Sequence, residues 1–227
     1  MTAYERFIDT FFKWSLISEY WPAILSGMWI TVQVAIAVVV SGIAAGLVLA
    51  GIRAFGIKPL NFFIIAAVDV LRALPPLVLV LLIYFGLPNV GITLSAFVVL
   101  WLVLSAILAA FSEEIFWAGI TSVRKGQWDA ARSTGLSFGS TLAHVILPQA
   151  VRLTIPPLTN RTIAITKNTA LGTVIGVPEI LNEATTAVSF AGNATPLAMG
   201  ALAYMILFIP VVILGRWIET RFQWKHA

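Results

Sequence analysis

Cysteine is absent from this sequence, and charged residues are scarce. Without cysteine the chain forms no disulfide bond and offers no thiolate as a nucleophile or metal ligand. Only 11% of the 227 residues are charged and 59% are hydrophobic, whereas charged residues alone make up about a quarter of a soluble domain. With a mean hydropathy of +0.96, the composition excludes an ordinary soluble domain and indicates an integral membrane protein.

The net charge of +4 would also suit a protein that binds nucleic acid. However, no basic run is interleaved with aromatic residues, as it is in proteins that bind single strands by stacking. In membrane proteins an excess of Lys and Arg normally belongs to the cytoplasmic loops. We therefore expect membrane lipid, and no nucleic acid, among the partners.

Long stretches without charge predict where the chain crosses a membrane, because a span needs about 20 mainly apolar residues. Residues 20–52 and 73–112 carry no charge. The second stretch is too long for one span, and "GLPNVG" at 86–91 favours a turn that divides it into two helices. A weaker fourth span at about 153–177 is interrupted by prolines and basic residues, and a fifth covers 196–215. The sequence therefore predicts an all-α membrane protein with five transmembrane helices.

Basic residues are unevenly distributed among the loops between these spans. The loops at 87–92 and 178–195 contain no Lys or Arg, whereas basic residues follow the first, third and fifth spans. The positive-inside rule therefore places the N-terminus outside, and the loop after the third span and the C-terminus in the cytoplasm. On this reading, residues 23–217 form the transmembrane domain and residues 218–227 a cytoplasmic tail.

Residues 1–22 form an amphipathic segment before the first span. Glu5, Asp9 and Lys13 recur every four residues, and aromatic residues occupy another face. This pattern is typical of a helix that lies in the membrane interface. The segment lacks the short apolar core and small-residue cleavage site of a signal peptide, so we expect no cleavage.

The loop after the third span, at about 124–150, is polar and contains helix signals. "WDAARST" is rich in helix formers, and Gly135 is placed to end that helix in a left-handed cap. Ser137 can cap a second helix. Its apolar residues, at positions i, i+4, i+7 and i+8, make one stripe that consists of Phe138, Leu142, Val145 and Ile146. Pro148 should then break the helix before the fourth span.

Three segments resemble the permease subunits of bacterial ABC importers. "DAARSTGLSFGSTLAHVILP", Asp129 to Pro148, is similar to their EAA loop, which has a Glu-Ala-Ala triplet, a glycine and a spaced Ile-x-Leu-Pro. "LRALPPLVLVLLIYFGLP" at 71–88 and "KNTALGTVIGVPEIL" at 167–181 resemble segments of the polar amino acid subfamily, of the histidine, glutamine and arginine type. The resemblance extends from about residue 28 to 221.

The resemblance implies a type I ABC importer permease fold with cytoplasmic coupling helices between spans three and four. It implies a multi-pass subunit of the bacterial inner membrane that translocates a polar amino acid or a related small solute. The implied partners are two copies of an ATPase, a second permease subunit in a homodimer or heterodimer, and an external or periplasmic substrate-binding protein. ATP and Mg would be bound by the ATPase, because this chain has no Walker-type loop. We expect no enzymatic activity, cofactor or metal in the chain itself.

In the family the EAA loop seats in the ATPase, so the resemblance assigns coupling to this loop. Asp129 stands in the Glu position and Val145 in the Ile position, and both replacements are mild. The implied coupling residues are Gly126, Gln127, Asp129, Ala130, Ala131, Gly135, Leu147 and Pro148.

Charged residues in or beside the spans are candidates for a solute path, because buried charge in a membrane is costly and often functional. The candidates, with two polar neighbours, are Lys167, Asn168, Thr169, Asp69, Arg72 and Glu179. Lys167 is the first of them. Asp69 and Arg72, one helical turn apart, suit a structural ion pair as well as a gate.

Two further features have structural interpretations. Gly42, Gly46 and Ala50 form a stripe of small residues that suits close helix packing, within one subunit rather than between subunits. Glu113 and Glu114 follow the charge-free run of the third span. They suit either an ordinary polar helix end or a role in holding the loop.

Two other function classes remain open at this point. A secondary transporter or channel would share the topology, but no inverted repeat is visible in the sequence. A membrane enzyme would need a nucleophile with its base, or clustered metal ligands, and His144 is alone in the polar loop.

Overall fold

Residues 2–222 are described by a computed structural model, and their regular secondary structure is entirely helical. The all-α class is confirmed for this part of the chain. Met1 and residues 223–227, which end the predicted cytoplasmic tail, lie outside the described residues. The helices are α1 Ala3–Phe11, α2 Trp14–Ala54, α3 Lys58–Ala73, α4 Pro76–Gly86, α5 Ala96–Ser122, α6 Lys125–Ser133, α7 Phe138–Thr141, α8 Leu147–Thr166, α9 Ile180–Ala191 and α10 Thr195–Phe222, with 3-10 segments at Leu87–Val90 and Lys167–Ile175 and a π-helical turn at Leu142–Ile146.

Three helical stretches among the described residues are long and apolar enough to cross a membrane. They are Ala3–Ala54, Ala96–Ser122 and Thr195–Arg221, and they contain the predicted first, third and fifth spans. The predicted fourth span corresponds to α8 and the 3-10 segment after it, which do not pass the same test of length and composition. The count of five spans therefore stays a prediction.

The predicted second span begins later than expected and follows a helix that the sequence did not indicate. Ala73 ends α3, and α4 begins at Pro76 after a break that bends the two helices by 103°. The break follows from Pro75 and Pro76, since a residue before proline is held in an extended conformation, and Leu74 has φ −87° and ψ 137°. The predicted turn after α4 is confirmed, and it ends at Gly91 with φ 82°.

The described residues divide into two compact units. The first comprises residues 2–37, 76–103 and 166–213. Its buried apolar cluster is formed by Ile24, Ile180, Ala184, Met199 and Ala203. Two glycines permit close helix contacts there: a Cβ atom on Gly27 would lie 3.0 Å from the Ile180 backbone, and one on Gly200 would lie 3.0 Å from the Ala184 side chain.

The second unit comprises residues 38–75, 104–165 and 214–222. One buried apolar cluster of this unit is formed by Ala50, Phe116, Ile120, Val123, Leu142, Ile146, Ala150 and Leu158. Leu142 and Ile146 come from the predicted apolar stripe, and Phe138 and Val145 pack against them. The stripe is therefore confirmed, and it holds the polar loop against α5 and α8.

The small-residue stripe of α2 packs within the chain, as predicted. A Cβ atom on Gly42 would lie 2.8 Å from Leu108, and one on Gly46 would lie 2.4 Å from the Cβ of Ser112. Ala50 is fully buried. Glycine is therefore required at these positions of α2 because α5 approaches its backbone.

The corner of the polar loop is built as predicted. The helix α6 ends at Ser133, and Gly135 has φ 89°, a left-handed conformation that glycine adopts without a steric penalty. The Ser137 side chain caps α7 and accepts the backbone N–H of Ser140 at 3.2 Å.

Pro148 does not break the helix, contrary to the prediction. The chain continues from α7 through the π-helical turn into α8 without interruption. The backbone N–H of Leu147 donates to the carbonyl of Leu142, one residue farther back than in an α-helix. This wider turn lies directly before the proline, which has no N–H to contribute and needs space around the preceding carbonyls.

The amphipathic N-terminal segment forms a helix of its own. A capping box of Thr2 and Glu5 begins α1. Its C-terminal end is attached within the first unit, because the Asn193 side chain donates to the carbonyl of Asp9 at 2.9 Å. The helix is shorter than the predicted segment 1–22, since α2 already begins at Trp14.

Gly46→Ala should destabilise the protein, because the new methyl group would displace Ser112 and the α5 backbone. Overpacking of this kind costs about 1–3 kcal/mol. The matched control is Gly51→Ala in the same helix, where an added Cβ meets no atom within 4 Å and should gain helix propensity worth about 1 kcal/mol. Thermal unfolding in detergent should give a lower midpoint for Gly46→Ala and an equal or higher one for Gly51→Ala. Equal midpoints for both variants would contradict this packing.

Candidate functional site

The polar loop exposes most of the residues that were assigned to coupling. Gly126, Gln127, Asp129, Ala130, Gly135 and Pro148 are exposed. Ala131 is buried, and Leu147 is half-buried against the core cluster of the second unit. The loop therefore has an outer face of small and polar residues and an inner face that anchors it.

A stack of aromatic rings holds α6 in place. The rings of Trp128 and Phe138 stack with centroids 5.2 Å apart and an interplanar angle of 24°. Phe138 also meets Phe55, just after α2, at 5.3 Å. Aromatic pairs at such distances contribute about 0.5–1.5 kcal/mol beyond the area that they bury. The chain turns sharply at Gly135, just after α6 ends. The helix α6 is therefore held in place by packing and is not a flexible connector.

Glu113 forms a buried ion pair, and it does not end a helix. Its carboxylate is fully buried and accepts from Nη1 of Arg53 at 3.0 and 3.2 Å. The Arg53 guanidinium lies 4.5 Å from the centre of the Trp117 ring. Since α5 continues to Ser122, the interpretation of Glu113 as a polar helix end is wrong.

A second charged cluster surrounds Arg72. Its guanidinium contacts the carboxylate of Glu114 and lies 3.8 Å from that of Asp69. The predicted pair of Asp69 and Arg72 is thus present, but Glu114 is the closer partner. Two cations lie near the Phe111 ring, with Arg72 at 5.3 Å and Arg161 at 3.5 Å from its centre.

These charged clusters join helices that are far apart in sequence. Arg53 comes from α2, Arg72 from α3 and Arg161 from α8, and each finds its partner on α5. This role of α5 was not predicted from the sequence. The only local signal was the placement of two carboxylates directly after an apolar run.

The candidates for a solute path have different environments. Lys167 is exposed, and its side chain forms no ion pair or hydrogen bond within residues 2–222. Asn168 is half-buried, and Thr169 is fully buried and donates its hydroxyl to the carbonyl of Thr166 at 2.9 Å. Lys167 therefore presents a charged group without a partner among residues 2–222 at the surface of its unit, whereas the exposed carboxylate of Asp69 lies 3.8 Å from Arg72.

Glu179 is fully buried and serves as the N-cap of α9. Its carboxylate accepts the backbone N–H groups of Leu181 at 3.0 Å and Asn182 at 2.9 Å. It also accepts the hydroxyl groups of Thr173 at 2.8 Å and Tyr204 at 2.5 Å. Four donors occupy this carboxylate, so it ties α9 to α10 and presents no free oxygen here. Glu is not a preferred N-cap residue, which is why the sequence did not indicate this role.

No group of three or more His, Asp or Glu residues within 2–222 is arranged to hold a metal ion. His144 is exposed, and its Nδ1 lies 3.0 Å from the carbonyl of Ser140.

Residues 42–224 match the sequence profile of one protein family, described as the binding-protein-dependent transport system inner membrane component. The chain belongs to this family. The match includes α5, the polar loop and α8, which are the elements that carry the charged clusters and the exposed face of α6. The chain is therefore a membrane component of a binding-protein-dependent transport system.

Several curated relatives of this permease cover most of its length. It is 32% identical to a probable glutamine ABC transporter permease of Bacillus subtilis, over 92% of this chain and 97% of the relative. It is 36% identical to the glutamate transport system permease of Corynebacterium glutamicum, over 87% and 92%. It is 30% identical to the glutamine transport system permease of Escherichia coli, over 93% and 98%.

Solved structures share the fold. A crystal structure of an amino acid ABC transporter with histidines has a TM-score of 0.81 and 31% identity, and the match covers 90% of this permease and 96% of that chain. An inward-facing methionine ABC transporter has a TM-score of 0.72 at 20% identity, over 88% and 96%. The fold is thus that of type I ABC importer permeases.

Replacing Glu113 should destabilise this permease more than replacing its neighbour. Glu113→Gln removes the charge that Arg53 faces, and hydrogen bonds to charged groups contribute about 1.5–3 kcal/mol. Glu114→Gln, at a side chain that is 47% exposed, should cost less than about 1 kcal/mol. Thermal unfolding in detergent measures both.

A double variant provides a further control. Removing one partner of a buried pair leaves the other charge uncompensated, whereas replacing both with apolar residues is often neutral. Arg53→Met with Glu113→Met should therefore be more stable than Glu113→Met alone. If the double variant is less stable than Glu113→Met, the loss of stability in Glu113→Met does not come from the unpaired charge of Arg53.

Proposed function

We propose that this chain is the transmembrane subunit of an ATP-driven importer that carries a polar amino acid or a related small solute across the bacterial inner membrane. The names of its relatives, among them permeases for glutamine, glutamate, arginine and L-cystine, support this solute class. The chain takes part in transport and not in ATP hydrolysis.

The observation that carries this proposal is the exposed face of α6 beside the Gly135 corner. The helix is anchored from behind by Trp128 on Phe138. Its outer face has small and polar side chains and no pair of catalytic groups. Such a helix can transmit a displacement from a protein that binds it to α5 and α8, against which it packs. We propose that this face docks on a cytoplasmic ATPase subunit.

The remaining partners follow from the family. Two ATPase copies would bind ATP and Mg, a second permease subunit, identical or homologous, would complete the translocation unit, and an external or periplasmic binding protein would deliver the solute. The proposed topology has five spans, an external N-terminus and a cytoplasmic polar loop. In this topology α1, with Tyr4 and Phe7 exposed, lies in the interface on the outer side of the inner membrane.

Lys167 is the proposed contributor to the solute path. It is exposed and unpaired within residues 2–222, and an unpaired cation in a membrane protein needs water, solute or a second subunit beside it. Asn168 would assist it. Glu179, Thr169 and the pair of Asp69 and Arg72 are occupied by internal contacts, and their place along the path stays a prediction.

A secondary transporter or channel is the alternative. Such a protein would not need a supported polar helix between two membrane helices, and its transport would continue without an ATPase. Uptake after removal of the ATPase subunit discriminates between these two functions.

Gly135→Val should impair coupling and leave the membrane helices intact. A β-branched residue at φ 89° costs about 1–2 kcal/mol in backbone strain and would redirect α6. Because an energy of this size changes an equilibrium about 5–30-fold, we expect solute-stimulated ATP hydrolysis and uptake to fall about fivefold or more.

The matched control is Gly91→Val, in the turn after α4 and outside the aromatic stack that holds α6. Gly91 also has a left-handed backbone, with φ 82°, and neither glycine has an atom within 4 Å of an added Cβ. The two variants thus carry the same kind of strain, one inside the proposed coupling loop and one outside it. Copurification of the ATPase and stimulated hydrolysis should decrease for Gly135→Val alone. Equal values for both variants would reject α6 as the coupling element.

A further inference from the structure

A cavity of about 390 Å³ in the second unit is lined by two arginines and no acidic residue. It lies between the end of α5, the start of α6 and the first turns of α8. Arg124 and Arg152 contribute the charge, Gln127 and Gln149 contribute amides, and Leu153 forms an apolar edge. This combination is typical of a site for an oxyanion.

The two arginines are uncompensated within the described residues. Neither Arg124 nor Arg152 forms an ion pair, a side-chain hydrogen bond or a ring contact in residues 2–222. By contrast, Arg53, Arg72 and Arg161 in the same unit each contact a carboxylate or an aromatic ring. Both arginines are exposed and line the same cavity, so an anion that enters it would be attracted by two positive charges.

The other polar groups of the cavity also favour an anion. The Nε2 of Gln149 donates to Oε1 of Gln127 at 3.4 Å, which leaves the Nε2 of Gln127 as a donor for a ligand. Arg124 is the N-cap of α6 and Lys125 its first residue, and no side chain caps this end. Cations at the positive end of a helix dipole are unfavourable unless a negative charge offsets them.

We propose that this cavity binds a phosphate group. Guanidinium groups match phosphate oxygens through paired hydrogen bonds, and the cavity is large enough for a phosphate that carries a further group. Its position favours a phospholipid head as the source, because the apolar helix α5 ends at Ser122 in the cavity wall and the exposed Leu153 borders the opening. Basic pockets at the ends of membrane helices bind such heads. The inference does not depend on the identity of the solute, and the test uses the chain without the ATPase because Gln127 is also one of the proposed coupling residues.

The test measures ligand binding to the full chain in neutral detergent by native mass spectrometry. The probes are phosphatidylglycerol, phosphatidylcholine and inorganic phosphate. The variant is Arg124→Gln with Arg152→Gln. The control is Arg132→Gln, an exposed arginine at the other end of α6 that does not line the cavity.

We expect the wild-type chain and Arg132→Gln to retain phosphatidylglycerol equally, and the double variant to retain at least about tenfold less. If the wild-type chain binds inorganic phosphate and the double variant does not, the cavity is a phosphate site whose ligand is a free anion. Arg152→Lys, which keeps the charge but loses the paired geometry, should bind with intermediate strength. Equal binding of every probe by the wild-type chain and the double variant, or an equal loss in Arg132→Gln, would overturn the proposal.

Discussion

The ion pair of Arg53 and Glu113 is the interaction on which the second unit depends. Glu113 is fully buried on α5, so its charge must be compensated by a partner of fixed geometry. Arg53 can reach it because Gly42 and Gly46 let α2 approach the α5 backbone. Without those glycines the helices would separate, and the carboxylate would be left unpaired. Close packing and charge pairing therefore support each other at this helix contact.

The helix α5 also contacts other charged residues and the polar loop of the second unit. Arg72 meets α5 at Glu114, and Arg161 meets it at Phe111. The apolar stripe of the polar loop packs on α5 farther along, at Phe116 and Ile120. If a docked ATPase displaces the loop, as proposed, these contacts would deliver the displacement to the helix that holds the charged clusters. This arrangement gives a physical route from the exposed face of α6 to the membrane helices, and it explains why a loop without catalytic residues is so firmly anchored.

Features that depend on local chemistry were predictable from the sequence. The left-handed corner at Gly135, the Ser137 cap and the apolar stripe each follow from the type and spacing of neighbouring residues. The helix α3 was not predicted, because its charged residues leave no charge-free stretch long enough to indicate a span. Pro148 was misjudged, because a π-helical turn can accommodate a proline that would break an α-helix.

Contacts between residues that are far apart in the sequence could not be predicted in this way. Arg53 and Glu113 are 60 residues apart, and the residues around each of them do not indicate that the two form a pair. Two carboxylates after an apolar run have the same local signature whether they end a helix or lie inside it. The four donors around Glu179 come from α9, α10 and the preceding 3-10 segment, so its role as a cap also emerges only from the fold. The resemblance to permeases identified the family, but it did not distinguish these structural carboxylates from candidates for the solute path.

In the proposed topology the polar loop faces the cytoplasm, where an ATPase can bind it, and the turn after α4 faces outward. Because the chain has no cysteine, single cysteines can be introduced at the exposed positions Val90 and His144 and labelled with a membrane-impermeant maleimide. In intact cells from which any outer membrane has been removed, Val90→Cys should react at once, and His144→Cys should react only after the membrane is permeabilised. Labelling of both cysteines from the same side, or of His144→Cys alone in intact cells, would contradict this topology.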